Sequence, residues 1–295
     1  MRTNLLDLTK PRNLNVSNQD KLVQQVKEFG NEVNVAAAVN DTFFDVLVPN
    51  LHVGVVFDSV REDFHSVPVD SLQTVSRSAQ KLGLTCIHVF DWDDVSKIAN
   101  MLRSKKVVYA RKCNVEQVDQ YTANCFLKLY HLQGAARGQT KCYGLYYNGQ
   151  LVSVMTFGKP RYNKNYEWEL IRLCYHPEVR VTGGSEKMWK HFLRDVNPNT
   201  VLSYCDRAKF SGYVYHKLGM TLKSEGQPSK HWYSSNPDER IRHVTNNFLL
   251  QHGYDQIFKE SYGKGTDNEE LMLKRGFLPI YDCGQMTFEW HRLEN

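Results

Sequence analysis

The sequence of 295 residues has no apolar run long enough for a membrane span, no internal repeat and no low-complexity tract. A bilayer-spanning helix needs about 20 consecutive, mostly apolar residues, so we predict no membrane segment and no membrane partner. The opening residues, Met-Arg-Thr-Asn-Leu-Leu-Asp, lack the long apolar core of a signal peptide. We therefore expect an intracellular protein.

Cysteine pairs of the kind found in disulfide frameworks and zinc sites are also missing. The seven cysteines are scattered singly, and none belongs to a Cys-x-x-Cys pair. An odd number of isolated cysteines argues against both kinds of site. We therefore expect reduced thiols.

Acidic residues are scarce in the middle of the chain. Residues 1–106 hold 12 Lys and Arg against 13 Asp and Glu, which gives −1; residues 107–235 hold 18 against 9, which gives +9; residues 236–295 hold 7 against 10, which gives −3. A basic middle segment favours a polyanionic partner, because Lys and Arg release counterions when they contact phosphates. A basic surface that serves only solubility is the alternative.

Aromatic residues are interleaved with these basic residues. Tyr162, Tyr166 and Trp168 are examples. Such a mixture can stack bases and hold phosphates, so it favours nucleic-acid binding, although some of the aromatics also suit a core. Nothing in the sequence indicates a protein partner. The candidate residues for nucleic-acid binding are Arg103, Lys105, Lys106, Arg111, Lys112, Lys159, Arg161 and Lys164.

A strand, a glycine-containing loop and a helix follow one another between residues 168 and 193. The β-favouring run 168–175 precedes apolar residues that recur at helical spacing from Met188 onward. Unpaired N–H groups at a helix start suit an anion such as phosphate, and an ordinary capped helix entry is the alternative. The residues at this helix start are Thr182, Gly183, Gly184 and Ser185.

The flanking elements extend this pattern. A second strand, 201–205, precedes Asp206, and residues 211–220 predict a short helix; upstream, Asn148-Gly149 is the strongest short hairpin signal. This order of hairpin, strand, Gly-loop helix, strand and helix, over residues 109–233, resembles the GNAT acyltransferase superfamily. Within it, the segment is similar to the Mom-like phage proteins that act on DNA. The loop from Arg180 to Ser185 and the ending Tyr-x-x-Leu-Gly-Met220 carry the resemblance.

This resemblance implies a DNA-modifying transferase with a bound donor, acyl-CoA or another. Asp206 would act as base or substrate anchor, and the alternative is an Asp that pairs with Arg207 or caps the next helix. The chain departs from the usual acyl-CoA loop at Glu186 and Lys187, where that loop carries further glycines. The residues implied in ligand or donor binding are Arg172, Arg180, Thr182, Gly183, Gly184, Ser185, Tyr204, Asp206 and Tyr215.

The first hundred residues predict a separate domain. Periodicity and turn residues indicate a helix, a three-stranded meander, a helix, a strand and a helix. Acidic residues stand at strand edges beside a His-bearing loop, where a divalent cation can activate water against a phosphodiester. Helix capping by the Asp residues and an exposed His are the alternatives. The residues concerned are Glu28, Asp45, His65, Asp91 and Asp93.

A second resemblance rests on the motifs that begin at Asp45, Val53, His65 and Gly83. They are similar to very-short-patch-repair endonucleases and to phage homing endonucleases of the EDxHD type. The resemblance implies a restriction-endonuclease-like fold that cleaves DNA with Mg²⁺. Val56 departs from it, because many relatives carry Glu there, and without that ligand the domain would serve as a DNA-binding platform. The implied catalytic residues are Glu28, Asp45, His65, Asp91 and Asp93, with Asp45 and Asp91 as metal ligands.

Together these features predict an α/β (α+β) protein in four segments. They are an arm (1–18), an endonuclease-like domain with a mixed sheet (19–108), a basic GNAT-like domain (109–235) and a small helical and hairpin extension (236–295). The leading hypothesis is a metal-dependent DNA endonuclease whose basic domain positions DNA. The alternatives are a Mom-like DNA-modifying transferase and a nucleic-acid-binding protein without activity. If a phage encodes the chain, its place is the cytoplasm of the host cell.

Overall fold

The computed structural model describes residues 16–260 and 267–292. Its architecture is mixed α/β, as the sequence predicts. Most of the predicted arm, 1–18, lies outside the described residues. Within the described part of the chain, no helix combines the length and apolar character that a bilayer crossing requires.

The first domain has the predicted order of elements. Strands β1, β2 and β3 form an antiparallel meander, and β4 joins β3 in parallel, so the sheet is mixed. Leu22 and Val26 of the first helix pack against Val55 and Ile87 of the sheet. The elements are α1 (Val16–Glu28), β1 (Asn34–Val39), β2 (Thr42–Val48), β3 (Val53–Asp58), α2 (Ser71–Lys81), β4 (Thr85–Phe90) and α3 (Val95–Met101).

A seven-stranded sheet forms the centre of the chain, in the order β12-β16-β11-β9-β8-β7-β6. Helix α5 covers one face, where Phe192 stacks on Phe157 at 3.6 Å between ring centroids. The elements are β6 (Asn114–Gln117), α4 (Gln120–Tyr130), β7 (Gln139–Tyr147), β8 (Gln150–Gly158), β9 (Trp168–Tyr175), α5 (Gly184–Val196), β11 (Thr200–Asp206), α6 (Tyr213–Lys217), β12 (Thr221–Glu225) and β16 (Gln285–His291). Strands β5 (Lys106–Tyr109) and β10 (Val179–Thr182) pair in parallel beside it.

Two local predictions in this sheet have different outcomes. The Asn148-Gly149 hairpin is confirmed, with φ of 48° and 77°, as a type I′ turn requires. The apolar period from Val115 to Leu129 predicts one helix, and this prediction is wrong at its start, because residues 114–117 form β6. Asp119 accepts a hydrogen bond from the Thr122 N–H at 2.6 Å and thereby caps a helix that begins only at Gln120.

A three-stranded antiparallel sheet, β14-β13-β15, follows the central sheet. The predicted closing hairpin around Cys283-Gly284 is wrong, because β15 belongs to this sheet and β16 to the central one. Asp282 holds the chain between them by accepting hydrogen bonds from the N–H groups of Ser229 and Gly284, both at 2.7 Å. The elements are β13 (Lys230–Tyr233), β14 (His243–Thr245), α7 (Asn246–His252), α8 (Tyr254–Phe258), α9 (Asn268–Lys274) and β15 (Leu278–Tyr281).

The first domain contacts the segment that leaves β11. The His88 N–H donates to the Ala208 carbonyl at 2.8 Å. The Lys209 ammonium donates to the His88 carbonyl and pairs with the Asp93 carboxylate. Strand β4 therefore fixes the course of the chain directly after β11.

Gly54 in β3 offers a test of this packing. A Cβ there would lie 2.2 Å from the fully buried Phe44 ring. We expect Gly54→Ala to lower the free energy of unfolding by about 1–3 kcal/mol, as overpacked cores do, measured by urea unfolding. Phe44→Leu in the Gly54→Ala background should restore part of that loss. Additive effects of the two changes would contradict the predicted contact.

Candidate functional site

Strands β9 and β11 run in parallel but pair only over residues 168–170 and 201–203. Beyond this short ladder, β9 continues toward β10, which pairs with β5, and β11 turns toward the contact with β4. The two strands separate because their ends have different partners. A cavity of about 760 Å³ opens at the separation, and residues 170–173 of β9 line it.

Four residues from the ligand-binding prediction line this cavity together. They come from β9, β11 and α6, which the sequence separates by up to 43 positions, from 172 to 215. The structure thus brings them into one site. They are Arg172, Tyr204, Asp206 and Tyr215.

The hydroxyl group of Tyr215 is protonated, and its position is fixed. Its O–H donates to the Tyr204 carbonyl at 3.2 Å, and its ring stacks on Phe288 at 4.7 Å. Burial raises the pKa of Tyr215, since the phenolate would lose its hydration. The residue can therefore donate a proton but does not release one spontaneously near neutral pH.

Asp206 ends β11 at the cavity. One carboxylate oxygen, Oδ1, accepts a hydrogen bond from the Ala208 N–H at 2.9 Å. Burial raises the pKa of Asp206, and the nearby Lys209 opposes that rise. A carboxylate with a raised pKa takes up a proton more readily, so it can accept a hydrogen bond or a proton from a bound substrate.

Arg172 has a buried Nε that finds no hydrogen-bond partner among the described residues. Its Nη1 donates to the Ile171 carbonyl at 3.0 Å. Burial, and after it the positive charge of Arg161, lowers the pKa of Arg172. A buried donor without a partner is costly, so this guanidinium is suited to an oxygen atom of a ligand.

The glycine loop lies apart from these four residues. Helix α5 begins at Gly184, and the Tyr175 hydroxyl lies beside that helix start. A Cβ on Gly184 would lie 3.1 Å from the Tyr175 hydroxyl. The loop residues that do not line the cavity are Arg180, Thr182, Gly183, Gly184 and Ser185.

The predicted nuclease residues are not assembled into a metal site. Asp45 is buried, and its Oδ2 accepts a hydrogen bond from the Phe57 N–H at 2.7 Å. Asp93 pairs with Lys209, and Asp91 accepts from the Ser59 hydroxyl at 2.9 Å.

The other two nuclease candidates are exposed. Glu28 accepts a hydrogen bond from Gln24 at the end of α1, and His65 lies in a short 3-10 turn. Within residues 16–260 and 267–292, no group of three or more His, Cys, Asp or Glu could hold a metal ion. The structure therefore does not support the predicted magnesium site.

Several of the predicted DNA-binding residues are engaged within the chain. Arg161 donates to Glu169 at 2.9 Å, Arg103 pairs with Glu178 at 2.7 Å, and Lys105 donates to the Met101 carbonyl at 3.1 Å. Burial lowers the pKa of Lys105. Lys164 donates to the Pro160 carbonyl.

The remaining four basic residues are exposed. Lys106, Arg111 and Lys112 lie within three positions of the exposed Tyr109 along the chain, and together with Tyr109 we call these residues the basic strip. Arg111 lies 5.3 Å from the centroid of that ring. Lys159 is exposed near Trp168. A basic surface with an accessible aromatic ring suits a nucleic-acid strand.

One wall of the cavity was not anticipated from the sequence. It combines Trp92 of the first domain with His231, His243 and Asp282 of the last sheet. The only signal for it is the alternation of His231 and Tyr233 along β13, which places both side chains on one face. That face cannot be matched to Trp92 from spacing, because the segments are distant in sequence.

No protein-family model matches the chain. No curated protein matches it either. Among solved structures, it is similar to a Bacillus subtilis acetyltransferase in complex with CoA, at 12% identity over 62% of this chain and 100% of that chain, with a TM-score of 0.35.

Two further solved structures match the chain with similar identity, coverage and TM-score. A GNAT family acetyltransferase from Elizabethkingia anophelis with bound acetyl-CoA has 12% identity over 61% of this chain and 99% of that chain, with a TM-score of 0.33. A polyamine N-acetyltransferase from Drosophila melanogaster has 12% identity over 61% and 100%, also with a TM-score of 0.33. Identities and TM-scores this low do not assign an activity to the chain.

His131, which also lines the cavity, should make the free energy of unfolding depend on pH. Its Nδ1 accepts a hydrogen bond from the Gln133 N–H at 3.1 Å, and burial, followed by the charges of Arg172 and Lys97, lowers the pKa of His131 to about 3. The unfolded chain therefore binds more protons than the folded chain below pH 6.5, the ordinary value. The stability that depends on a neutral, buried His131 is fully present above pH 6.5 and is lost as the pH falls toward about 3.

We expect His131→Gln to lose less free energy of unfolding than the wild type between about pH 7 and about pH 5, as measured by urea unfolding. Gln cannot take up a proton in this range. The exposed His65→Gln is the matched control and should behave like the wild type. Equal losses in the His131→Gln variant and the wild type would contradict a buried neutral His131.

Proposed function

We propose that the chain is a transferase that moves an acyl group from a donor in the cavity to an amine on DNA. The assembly of Arg172, Tyr204, Asp206 and Tyr215 around the separated ends of β9 and β11 carries the proposal. The nuclease alternative lacks such support, because its carboxylates are occupied by structural contacts. In this proposal the first domain meets DNA at its end, where the basic strip begins with Lys106.

The cavity fits an extended donor arm. Among the described residues, no strand lies beside one edge of β9 beyond residue 170. Its N–H and C=O groups can therefore pair with amides, as a strand edge does with an added peptide. An acyl thioester of coenzyme A has an arm of this kind, and when bound it supplies an activated acyl group. Because the Tyr175 hydroxyl lies beside Gly184 at the start of α5, we assign no phosphate contact to Gly183 or Gly184.

The residues around this arm have complementary roles. The Arg172 guanidinium would stabilise negative charge on an acyl oxygen, since a preorganised donor acts strongly in a water-poor site. Tyr215 would supply a proton to the departing group, because its hydroxyl is held protonated. Asp206 would orient the attacking amine by accepting one of its N–H groups.

DNA as the acceptor is supported by the charge of residues 107–235, which is +9 from 18 basic and 9 acidic residues. Arg111 and Lys112 of the basic strip are among its exposed residues. Phosphate contacts of this kind hold DNA without reading its sequence. The acceptor base would then reach the cavity from a strand held at the surface.

The first test is incubation of the purified protein with plasmid DNA and acetyl-CoA, with and without Mg²⁺. We expect a nucleoside whose mass has increased by one acetyl group, on DNA that stays intact on a gel. Asp206→Asn should lower this yield by about 10²-fold or more, the scale of a lost proton-transfer or orienting group, whereas the exposed Glu28→Gln should not. Magnesium-dependent nicking that Asp45→Asn abolishes would instead establish the endonuclease.

The second test addresses DNA binding by the basic strip. We expect the triple variant Lys106→Gln, Arg111→Gln, Lys112→Gln to bind a DNA duplex more weakly, with the slope of log K against log salt reduced by roughly 3, about one per lost phosphate contact. The measurement is a fluorescence titration at several salt concentrations.

The matched control removes the same charge elsewhere, at Lys21, Lys27 and Lys81, which are exposed on α1 and α2. It should retain the wild-type slope. Equal losses in both triple variants would show that net charge alone, rather than the basic strip, binds DNA.

A further inference from the structure

Two histidines and a carboxylate form a hydrogen-bonded chain on the wall of the cavity. Asp282 Oδ2 lies 3.1 Å from His231 Nε2, and His231 Nδ1 lies 2.9 Å from His243 Nε2. His243 stacks on Trp92 with 4.1 Å between ring centroids and an angle of 6°. All four residues line the cavity that contains Asp206 and Tyr215.

The direction of these hydrogen bonds follows from the carboxylate. A carboxylate only accepts, so His231 Nε2 must carry a proton, and in a neutral ring His231 Nδ1 is then an acceptor. His243 Nε2 must therefore donate to it. In a neutral His243 the remaining nitrogen, Nδ1, has a free lone pair, and no described residue makes a hydrogen bond to it.

We propose that His243 Nδ1 is the base that removes the proton from the attacking amine in the cavity. This inference rests on the proposed function and adds a catalytic residue to it. The base comes from the segment 236–295, outside the strands and helices that carry Arg172, Asp206 and Tyr215. Asp282 and His231 are positioning residues that fix its tautomer.

The surroundings keep His243 uncharged. Burial, followed by the proximity of His231, lowers the pKa of His243 to about 4. The stacked Trp92 covers one face of the ring. Of the neighbouring charged groups, Asp282 on the wall is bonded to His231, and Arg242, which does not line the cavity, donates to the Tyr233 hydroxyl at 2.6 Å. Asp91 lies near Tyr233 and Arg242.

The proposed step balances as follows. The acceptor nitrogen forms a bond to the acyl carbon as the carbon–sulfur bond breaks, and the nitrogen loses its proton to His243 Nδ1. The departing sulfur takes a proton from Tyr215. His243 then returns its proton to solvent, and Tyr215 regains one from solvent, so both residues end as they began.

The substitution Asp282→Asn changes the tautomer of His243 while it keeps the shape of the side chain at position 282. Asp282 Oδ1 accepts hydrogen bonds from two backbone N–H groups, so an Asn must keep its carbonyl oxygen there and turn its NH₂ group toward His231. The NH₂ group donates to His231, which reverses the tautomers of both histidines. His243 Nδ1 would then carry a proton and could no longer accept one.

The first measurement does not depend on any substrate. In protein with ¹⁵N-labelled histidine, two-dimensional NMR of the ring nitrogens should show a neutral His243 with a bare Nδ1 at about pH 6, above its lowered pKa, and a protonated Nδ1 in Asp282→Asn. The His243→Gln spectrum assigns the signals. A wild-type His243 that is charged, or that carries its proton on Nδ1, would overturn the proposal.

The second measurement uses acetyl-CoA and plasmid DNA. We expect His243→Gln and Asp282→Asn each to lower kcat by about 10²-fold, with the Kd for coenzyme A, from calorimetry, within twofold of the wild type. The exposed His65→Gln should keep the wild-type rate. Unchanged kcat in both variants would overturn the role of His243, whereas a wild type that transfers nothing but shows the expected tautomer would count against the proposed function alone.

Discussion

The cavity depends on a short parallel ladder between β9 and β11. Three residue pairs hold the strands together, and beyond them each strand is drawn to a different neighbour. Buried backbone N–H and C=O groups are almost always paired, so the free edge of β9 requires water or a ligand. An open strand edge beside a cavity is therefore suited to an extended ligand that replaces the water on it.

The first domain shapes this cavity although it contributes none of the four residues assembled there. The hydrogen bond from His88 to Ala208 and the ion pair between Lys209 and Asp93 direct the chain after β11. His88 itself is fully buried and pairs with Asp58 at 2.7 Å. Asp93, one of the acidic residues that suggest a nuclease in the sequence, thus holds the first domain to the segment after β11. Val56, at the position expected for a metal ligand, packs in the apolar core.

The sequence predicted the elements that short-range chemistry determines. The Asn148-Gly149 turn and the strand, loop and helix around Gly183 follow from backbone conformation and from local hydrophobic spacing. The start of α4 was missed because a single Asp119 cap outweighed an apolar period that continued upstream.

Long-range assembly explains the larger errors. A metal site needs several side chains to point to one place, and strand periodicity gives the face of a residue but not the direction of its partner. The carboxylates predicted to bind magnesium have hydrogen-bonding partners that the pattern could not reveal. Conversely, Arg172, Asp206 and Tyr215 were grouped through the resemblance to acyltransferases, and the structure brings them to one cavity.

The cavity wall that contains both histidines could not be predicted for the same reason. Its residues span nearly two hundred positions; they are Trp92, His231, His243 and Asp282. Its construction has a physical consequence for catalysis. A base must be uncharged at working pH and must point its lone pair at the substrate. Burial against Trp92 meets the first condition, and the carboxylate of Asp282 leaves the lone pair on Nδ1, the nitrogen of His243 that does not contact His231. Neither condition holds unless the first domain and the last sheet are both in place, so the cavity is complete only in the full chain.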